Sequence, residues 1–235
     1  LKIYKYLFPK KKLNLNLKKF KDFLNNKGFI VLDSSDTSFS LNEVDSDAKY
    51  FFDNKLETDH SIENNGLIRL KNSCQNINNL LDIFKNPVID NLLKQYFQSE
   101  YYVYSSDVYR TVPIESNQKA FDSTQWHFDN SPTSMLKLFV YLSDVDKFNG
   151  PLTLANKKIS KKLKKRGLFL REDLMSHNSE IENNMQLIIG KAGTVILFTP
   201  ENIHKATLPK IGHRDVAVFL IYPSFKKQKI SSSVE

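Results

Sequence analysis

The sequence predicts an α+β protein with a jelly-roll core, and three observations predict it. Residues 1–100 are mainly helical in pattern, with apolar stripes at 15–26 and 77–97, short apolar and β-branched runs follow from residue 101 between Pro, Gly, Asn and Asp turns, and a basic helical insertion near 156–184 interrupts those runs. With 235 residues and 40% hydrophobic content the chain suffices for one well-cored domain. The expected organisation is a single domain over 1–235: a mainly helical preface over 1–100, the core over 101–225 and a polar tail over 226–235.

Leu17, Phe20, Phe23 and Leu24 fall on one helical face over 15–26, and Asn25, Asn26 and Gly28 supply a stop. Residues 29–32 then read as a short buried strand. Residues 33–76 are polar and weakly periodic, which predicts loops with short helices around 44–52. Residues 77–84 read as helical, and Pro87 opens a second helix whose apolar stripe is Ile89, Leu92, Leu93, Tyr96 and Phe97. Tyr and Val enrichment makes 101–112 a strand, and 124–129, 135–142, 186–189, 194–198 and 215–222 follow as further strands.

Charge and cysteine usage exclude several classes. The formal net charge of +8 comes from two local runs: eight Lys in 1–21, and six Lys with Arg166 in 157–166. Those fifteen leave 19 basic against 26 acidic residues elsewhere. Such runs read as solvated faces, and without interleaved aromatics or a nucleic-acid module no nucleic-acid partner is expected. The single cysteine, Cys74, makes no internal disulfide and reads as a packing residue, consistent with a reducing compartment. No stretch is apolar enough to span a bilayer or form a signal peptide, so a cytoplasmic protein without stable membrane association is expected.

The chemistry begins at Gln125-Trp126-His127-Phe128-Asp129. Side chains alternate along an extended segment, so His127 and Asp129 share one face and Trp126 and Phe128 the other. A polar strand end is the ordinary explanation of that pair. A second strand, 193–200, leads at once to His204, which completes a two-His, one-carboxylate set able to hold iron(II) on one face and leave the remaining positions open. Arg214 lies ten residues beyond His204. Its planar guanidinium suits a carboxylate, as holding 2-oxoglutarate requires; the alternative is a salt bridge with Asp215. Lys137, within an otherwise apolar strand, either snorkels to solvent or points inward toward a carboxylate.

In order and spacing, these pieces resemble the phytanoyl-CoA dioxygenase family of iron(II)- and 2-oxoglutarate-dependent oxygenases. The resemblance runs through Gly-Phe-Ile-Val-Leu (28–32), the helix-Pro-helix stretch of 77–97, Trp-His-Phe-Asp (126–129), Leu-Ser-Asp-Val-Asp-Lys-Phe-Asn-Gly-Pro-Leu (142–152), and residues 193–204 with Arg214. It implies a double-stranded β-helix with His127, Asp129 and His204 as metal ligands and catalytic centre, and Arg214 on the co-substrate. The chain departs from the family at Leu154-Ala-Asn-Lys-Lys158, where a Pro-Gly-Ser-His turn is common. It departs again at Ala206, where a hydroxyl residue often makes a second co-substrate contact. Thr207 is the candidate for that contact, and Lys137 a further candidate near the co-substrate. Related halogenases leave the carboxylate position empty; Asp129 fills it, so hydroxylation with release of succinate and CO2 is the expected outcome.

The expected partners are O2 and a small-molecule or carrier-bound substrate. The basic run 157–166 is either a solvated helix face or an attractor for an anionic one. The competing reading is a cupin-like metal-binding protein that is non-catalytic or independent of 2-oxoglutarate. The nucleic-acid demethylase branch usually carries another Arg soon after the co-substrate Arg, and 215–222 contains none.

Overall fold

The structure is a computed structural model and describes residues 23–37, 41–54, 61–71, 73–129, 132, 134–226 and 228. Ten strands are present among the described residues: β1 (Phe29–Leu32), β2 (Ser61–Asn64), β3 (Leu67–Leu70), β4 (Glu100–Thr111), β5 (Leu136–Tyr141), β6 (Leu152–Ala155), β7 (Met185–Ile188), β8 (Val195–Phe198), β9 (His204–Ala206) and β10 (Arg214–Ser224). They form a seven-stranded sheet in the order β1-β8-β5-β10-β4-β3-β2 and a three-stranded sheet in the order β7-β6-β9. The neighbours pair antiparallel. This is the jelly-roll, or double-stranded β-helix, that the sequence predicts.

Strand periodicity of two divides the large sheet into two burial problems. Phe29, Phe139, Tyr141, Ile196, Phe198, Val216 and Val218 face the small sheet, where Leu152, Leu154 and Ile188 close over them. Ile30, Leu32, Leu136, Leu138, Val140, Leu197, Ala217, Phe219 and Ile221 face outward and are covered by the preface helices. All four residues of β8 are therefore buried, which is why its sequence is continuously apolar.

The covering helices are Asn42–Asp53 and Pro87–Phe97, with a 3₁₀ segment Leu80–Lys85. The second begins because Asn86 accepts hydrogen bonds from the backbone N–H of Val88 (2.9 Å) and Ile89 (3.3 Å), while Pro87 needs no donor there. Ile89, Leu92 and Leu93 are fully buried beneath it, each contributing about 1.5–3 kcal/mol of transfer free energy.

Three expectations need correction. Residues 33–76 contain, besides the helix over 42–53, the hairpin of β2 and β3, turned at Asn65-Gly66 with Gly66 at φ +84°. The Asn-Gly signal was present, but four-residue strands in a polar stretch do not show their period. The helix expected over 77–84 is the 3₁₀ segment, shifted toward Lys85. The segment 124–129 is no regular strand: it follows a 3₁₀ turn at Asp122–Thr124 and holds one isolated bridge, at His127. Of the helix expected over 15–26, only the π-helical turn Phe23–Lys27 is within the described residues, as is little of the polar tail. The basic run of 1–21 lies outside them. Cys74 is free and packs against the outer core, as expected.

The insertion consists of three helices, Lys157–Lys165, Arg171–Ser176 and Asn178–Glu182, between β6 and β7. Ile159, Leu163, Leu174 and Ile181 bury with Trp126, Ala155 and Ile203 in a separate cluster. No helix among the described residues is long and apolar enough to cross a membrane.

Candidate functional site

Two reciprocal backbone hydrogen bonds build the site, from His127 N–H to the His204 carbonyl and from His204 N–H to the His127 carbonyl, both 3.0 Å. A third runs from Asp129 N–H to the Pro200 carbonyl at 3.3 Å. The segment thus stays extended without a full ladder, and side-chain alternation holds. Trp126 goes to the insertion cluster with Phe128 against it, while His127 and Asp129 turn the other way. The two imidazoles lie with ring centroids 4.2 Å apart.

Each imidazole has its Nδ1 2.9 Å from a backbone carbonyl, Gln125 for His127 and Asn202 for His204. A carbonyl only accepts, so Nδ1 carries the proton and Nε2 presents a lone pair. Asp129 contributes Oδ2, which is buried without a hydrogen-bond partner and lies 3.6 Å from His204 Nε2. One ligand atom from each of the three residues lies within 4.8 Å of the others. Two acceptor nitrogens beside an orphaned carboxylate oxygen fit a divalent metal, and the hydrogen bonds behind the imidazoles fix the tautomer a metal needs.

The electrostatics agree with that fit. Burial pushes His204 down to about 3 and lowers His127 as well, so both rings are neutral at pH 7. Burial acts to raise Asp129, but attraction to His204 and Lys137 overcomes it and leaves the carboxyl below its usual range. With His204 neutral, Lys137 is the standing positive charge.

The alternatives for Lys137 and Arg214 are decided by strand alternation. Lys137 shares the inner face of β5 with Phe139 and Tyr141, and its Nζ donates to Asp129 Oδ1 at 2.6 Å. Arg214 opens β10 and is 3% exposed. Its Nη1 donates to the Gly150 carbonyl, its Nε is buried without a partner, and no carboxylate among the described residues pairs with it. Asp215 lies on the opposite face, held by Arg110 through Nε to Oδ1 (2.8 Å) and Nη2 to Oδ2 (2.7 Å). Burial disfavours the charged guanidinium of Arg214 and lowers its pKa, so a buried cation awaits an anion.

Thr207 requires a correction. Register pairs Leu154 with His204, Thr153 with Lys205 and Leu152 with Ala206. Leu152 and Leu154 face the large sheet, so His204 and Ala206 do too, whereas Thr153 and Lys205 face away. Thr207 Oγ1 lies 3.0 Å from Thr153 Oγ1, on that outer side. The methyl of Ala206 occupies the inward position, and the structure does not bring Thr207 to the site.

Asn202 was not singled out from the sequence, although it organises the site. It is fully buried, donating from Nδ2 to the carbonyls of Lys27 (2.7 Å) and Ala155 (2.9 Å) and accepting from Thr199 Oγ1 (2.8 Å). It therefore ties the approach to β1, the end of β6 and the β8–β9 turn together, immediately before His204. Gly28 permits this: at φ +75°, a Cβ there would collide with the Asn202 side chain. Asn202→Ala is expected to lower stability by about 2–4 kcal/mol, since the buried Ala155 carbonyl and the part-buried Lys27 carbonyl lose their donor; a urea midpoint within error of wild type would contradict this.

The fold and the three converging ligand groups define a double-stranded β-helix with a two-His, one-carboxylate constellation. Solved structures of the same fold include EctD from S. alaskensis, crystallised with bound Fe (TM-score 0.67, 16% identity, covering 91% of this chain and 79% of that chain). The carbocyclase SnoK from nogalamycin biosynthesis, described as non-heme and alpha-ketoglutarate dependent, is similarly related (TM-score 0.66, 14% identity, 92% and 87% covered). So is the epimerase SnoN from the same biosynthesis (0.65, 13%, 88% and 82%). EctD has also been crystallised with 2-oxoglutarate and 5-hydroxyectoine, and SnoN with Fe3+, alpha-ketoglutarate and nogalamycin RO. No protein-family model and no curated protein matches the chain by sequence.

Proposed function

We propose that the protein is an iron(II)- and 2-oxoglutarate-dependent oxygenase of the phytanoyl-CoA dioxygenase type that hydroxylates a small-molecule or carrier-bound metabolite. The observation that carries this reading is the coexistence of an orphaned Asp129 Oδ2 beside two Nε2 lone pairs with a buried Arg214 that has no carboxylate partner among the described residues. His127, Asp129 and His204 would hold the iron, and Arg214 would hold the distal carboxylate of 2-oxoglutarate. When bound, iron, 2-oxoglutarate and O2 together supply the oxidising chemistry, with succinate and CO2 as co-products.

The chain's own residues do the rest. The backbone carbonyls of Gln125 and Asn202 keep each imidazole in its ligating tautomer. Lys137 engages one oxygen of Asp129 and leaves the other for the metal. Phe198 lies against His204 at 5.1 Å between ring centroids and excludes water from that ligand's back. Lys137→Met is expected to weaken iron(II) binding about 10- to 100-fold, the usual effect of losing a group that orients a ligand; calorimetry on the apo-protein measures it.

The test is an anaerobic titration with iron(II) and 2-oxoglutarate, followed by air and a substrate panel read by succinate release and product mass. Gain of one oxygen atom in the product establishes hydroxylation. Stoichiometric metal without 2-oxoglutarate binding would favour a cupin-like protein that does not use it.

A further inference from the structure

The described strands leave four sheet edges, and three of them are closed or guarded. Phe29, Ile30 and Leu32 of β1 are buried, backbone included. The free side of β9 is taken by the reciprocal hydrogen bonds of His127 and His204. β2, of sequence Ser-Ile-Glu-Asn, carries the charge of Glu63, an ordinary guard of an open edge. The fourth edge, β7, has no such guard. It pairs with β6 on one side only, and no charged residue stands between Glu182 and Lys191.

Antiparallel alternation fixes which backbone groups of β7 are spare. The Asn156 N–H donates to the Asn184 carbonyl (2.9 Å), and Gly190 exchanges hydrogen bonds with Val145 (2.8 and 2.9 Å). The even-numbered residues therefore turn N–H and C=O into the sheet, and Met185, Leu187 and Ile189 turn theirs outward. The side chains of the same three point away from the core, because Ile188 faces it. They are 37%, 40% and 58% exposed. Bare ladder groups and apolar side chains thus coincide on one strip, whose complement is another extended, apolar strand.

We propose that β7 pairs antiparallel with β7 of a second copy of this chain, across a two-fold axis at Leu187, joining the two three-stranded sheets into one. The strip is its own complement. Leu187 faces the partner's Leu187, and Met185 faces the partner's Ile189, apolar against apolar. The same register brings Glu182 within one position of the partner's Lys191. Both side chains are exposed, so the ends of the paired segment attract. This charge order is what a second copy supplies in both directions at once. Isologous pairing consumes the edge of both copies and closes at two chains. The inference is independent of the oxygenase reading.

Sedimentation velocity of the wild type between about 1 μM and about 1 mM is expected to pass from one chain to two. Leu187→Lys sets two ammonium groups opposite each other at the axis and is expected to weaken association about tenfold or more. Phe225→Lys, at an 80% exposed residue just beyond β10 in the other sheet, should leave association unchanged. Hydrogen exchange on the wild type reads the ladder itself. The Leu187 and Ile189 amides are expected to slow about tenfold or more at the higher concentration, while Gln186, already turned toward β6, does not change. A single-chain mass throughout, growth beyond two chains, undiminished association of Leu187→Lys, equal weakening by Phe225→Lys, or a dimer in which the Leu187 and Ile189 amides exchange as fast as in the dilute protein overturns the proposal.

Discussion

Asp129→Ala is expected to reduce iron(II) affinity more than a hundredfold and to abolish 2-oxoglutarate turnover. The loss exceeds the 10- to 100-fold typical of removing an outer partner, because in the proposed site Asp129 is itself a ligand. The substitution also leaves Lys137, whose Nζ now lies 2.6 Å from Asp129 Oδ1, as a positive charge beside the vacated position. Metal then faces repulsion where it had an anionic ligand. Calorimetric titration of the apo-protein with iron(II) under anaerobic conditions measures the first effect, and succinate release the second. Retained metal affinity would show that the His127, Asp129, His204 cluster is not the metal site. Stability of the metal-free protein should fall as well, because the substitution leaves the largely buried Lys137 ammonium without its counter-charge.

Arg214→Ala is expected to weaken 2-oxoglutarate binding by at least about a hundredfold while iron(II) still binds. Hydrogen bonds to charged groups contribute about 1.5–3 kcal/mol each, and a guanidinium offers two to one carboxylate. Arg214→Lys should recover only part of this, because an ammonium lacks the fork. The variant is informative because Arg214 supports little else: its one described hydrogen bond is to the Gly150 carbonyl, and the strong ion pair next to it belongs to Asp215 and Arg110. Unchanged 2-oxoglutarate affinity, measured by anaerobic titration of the iron-loaded variant, would remove the dicarboxylate from the proposed function and leave a metal protein of another kind.

Much of the site was legible because its parts are local. His127 and Asp129 share a face wherever the backbone is extended, and the segment needs only one bridge to His204 to stay so. β8 was legible because burial on both faces makes Val195, Ile196, Leu197 and Phe198 continuously apolar. The β2–β3 hairpin was not, since its short strands sit in a polar stretch. Thr207 was misplaced for a related reason: proximity to His204 in sequence says nothing about which side of a three-residue strand a following hydroxyl reaches, and the Thr153 contact fixes it on the outer side.

Sequence by itself determined the α+β jelly-roll, the alternation that groups His127 with Asp129, and the residue types suited to a metal and a carboxylate. Those follow from periodicity and side-chain chemistry, which act over a few residues. Only the tertiary structure decided that Lys137 turns inward to Asp129, that Arg214 escapes Asp215 and that Asn202 ties the approach to β1, the end of β6 and the β8–β9 turn together. Each of these depends on partners 8 to 175 positions away. Pairing and burial over such separations are set by packing, which local sequence does not encode.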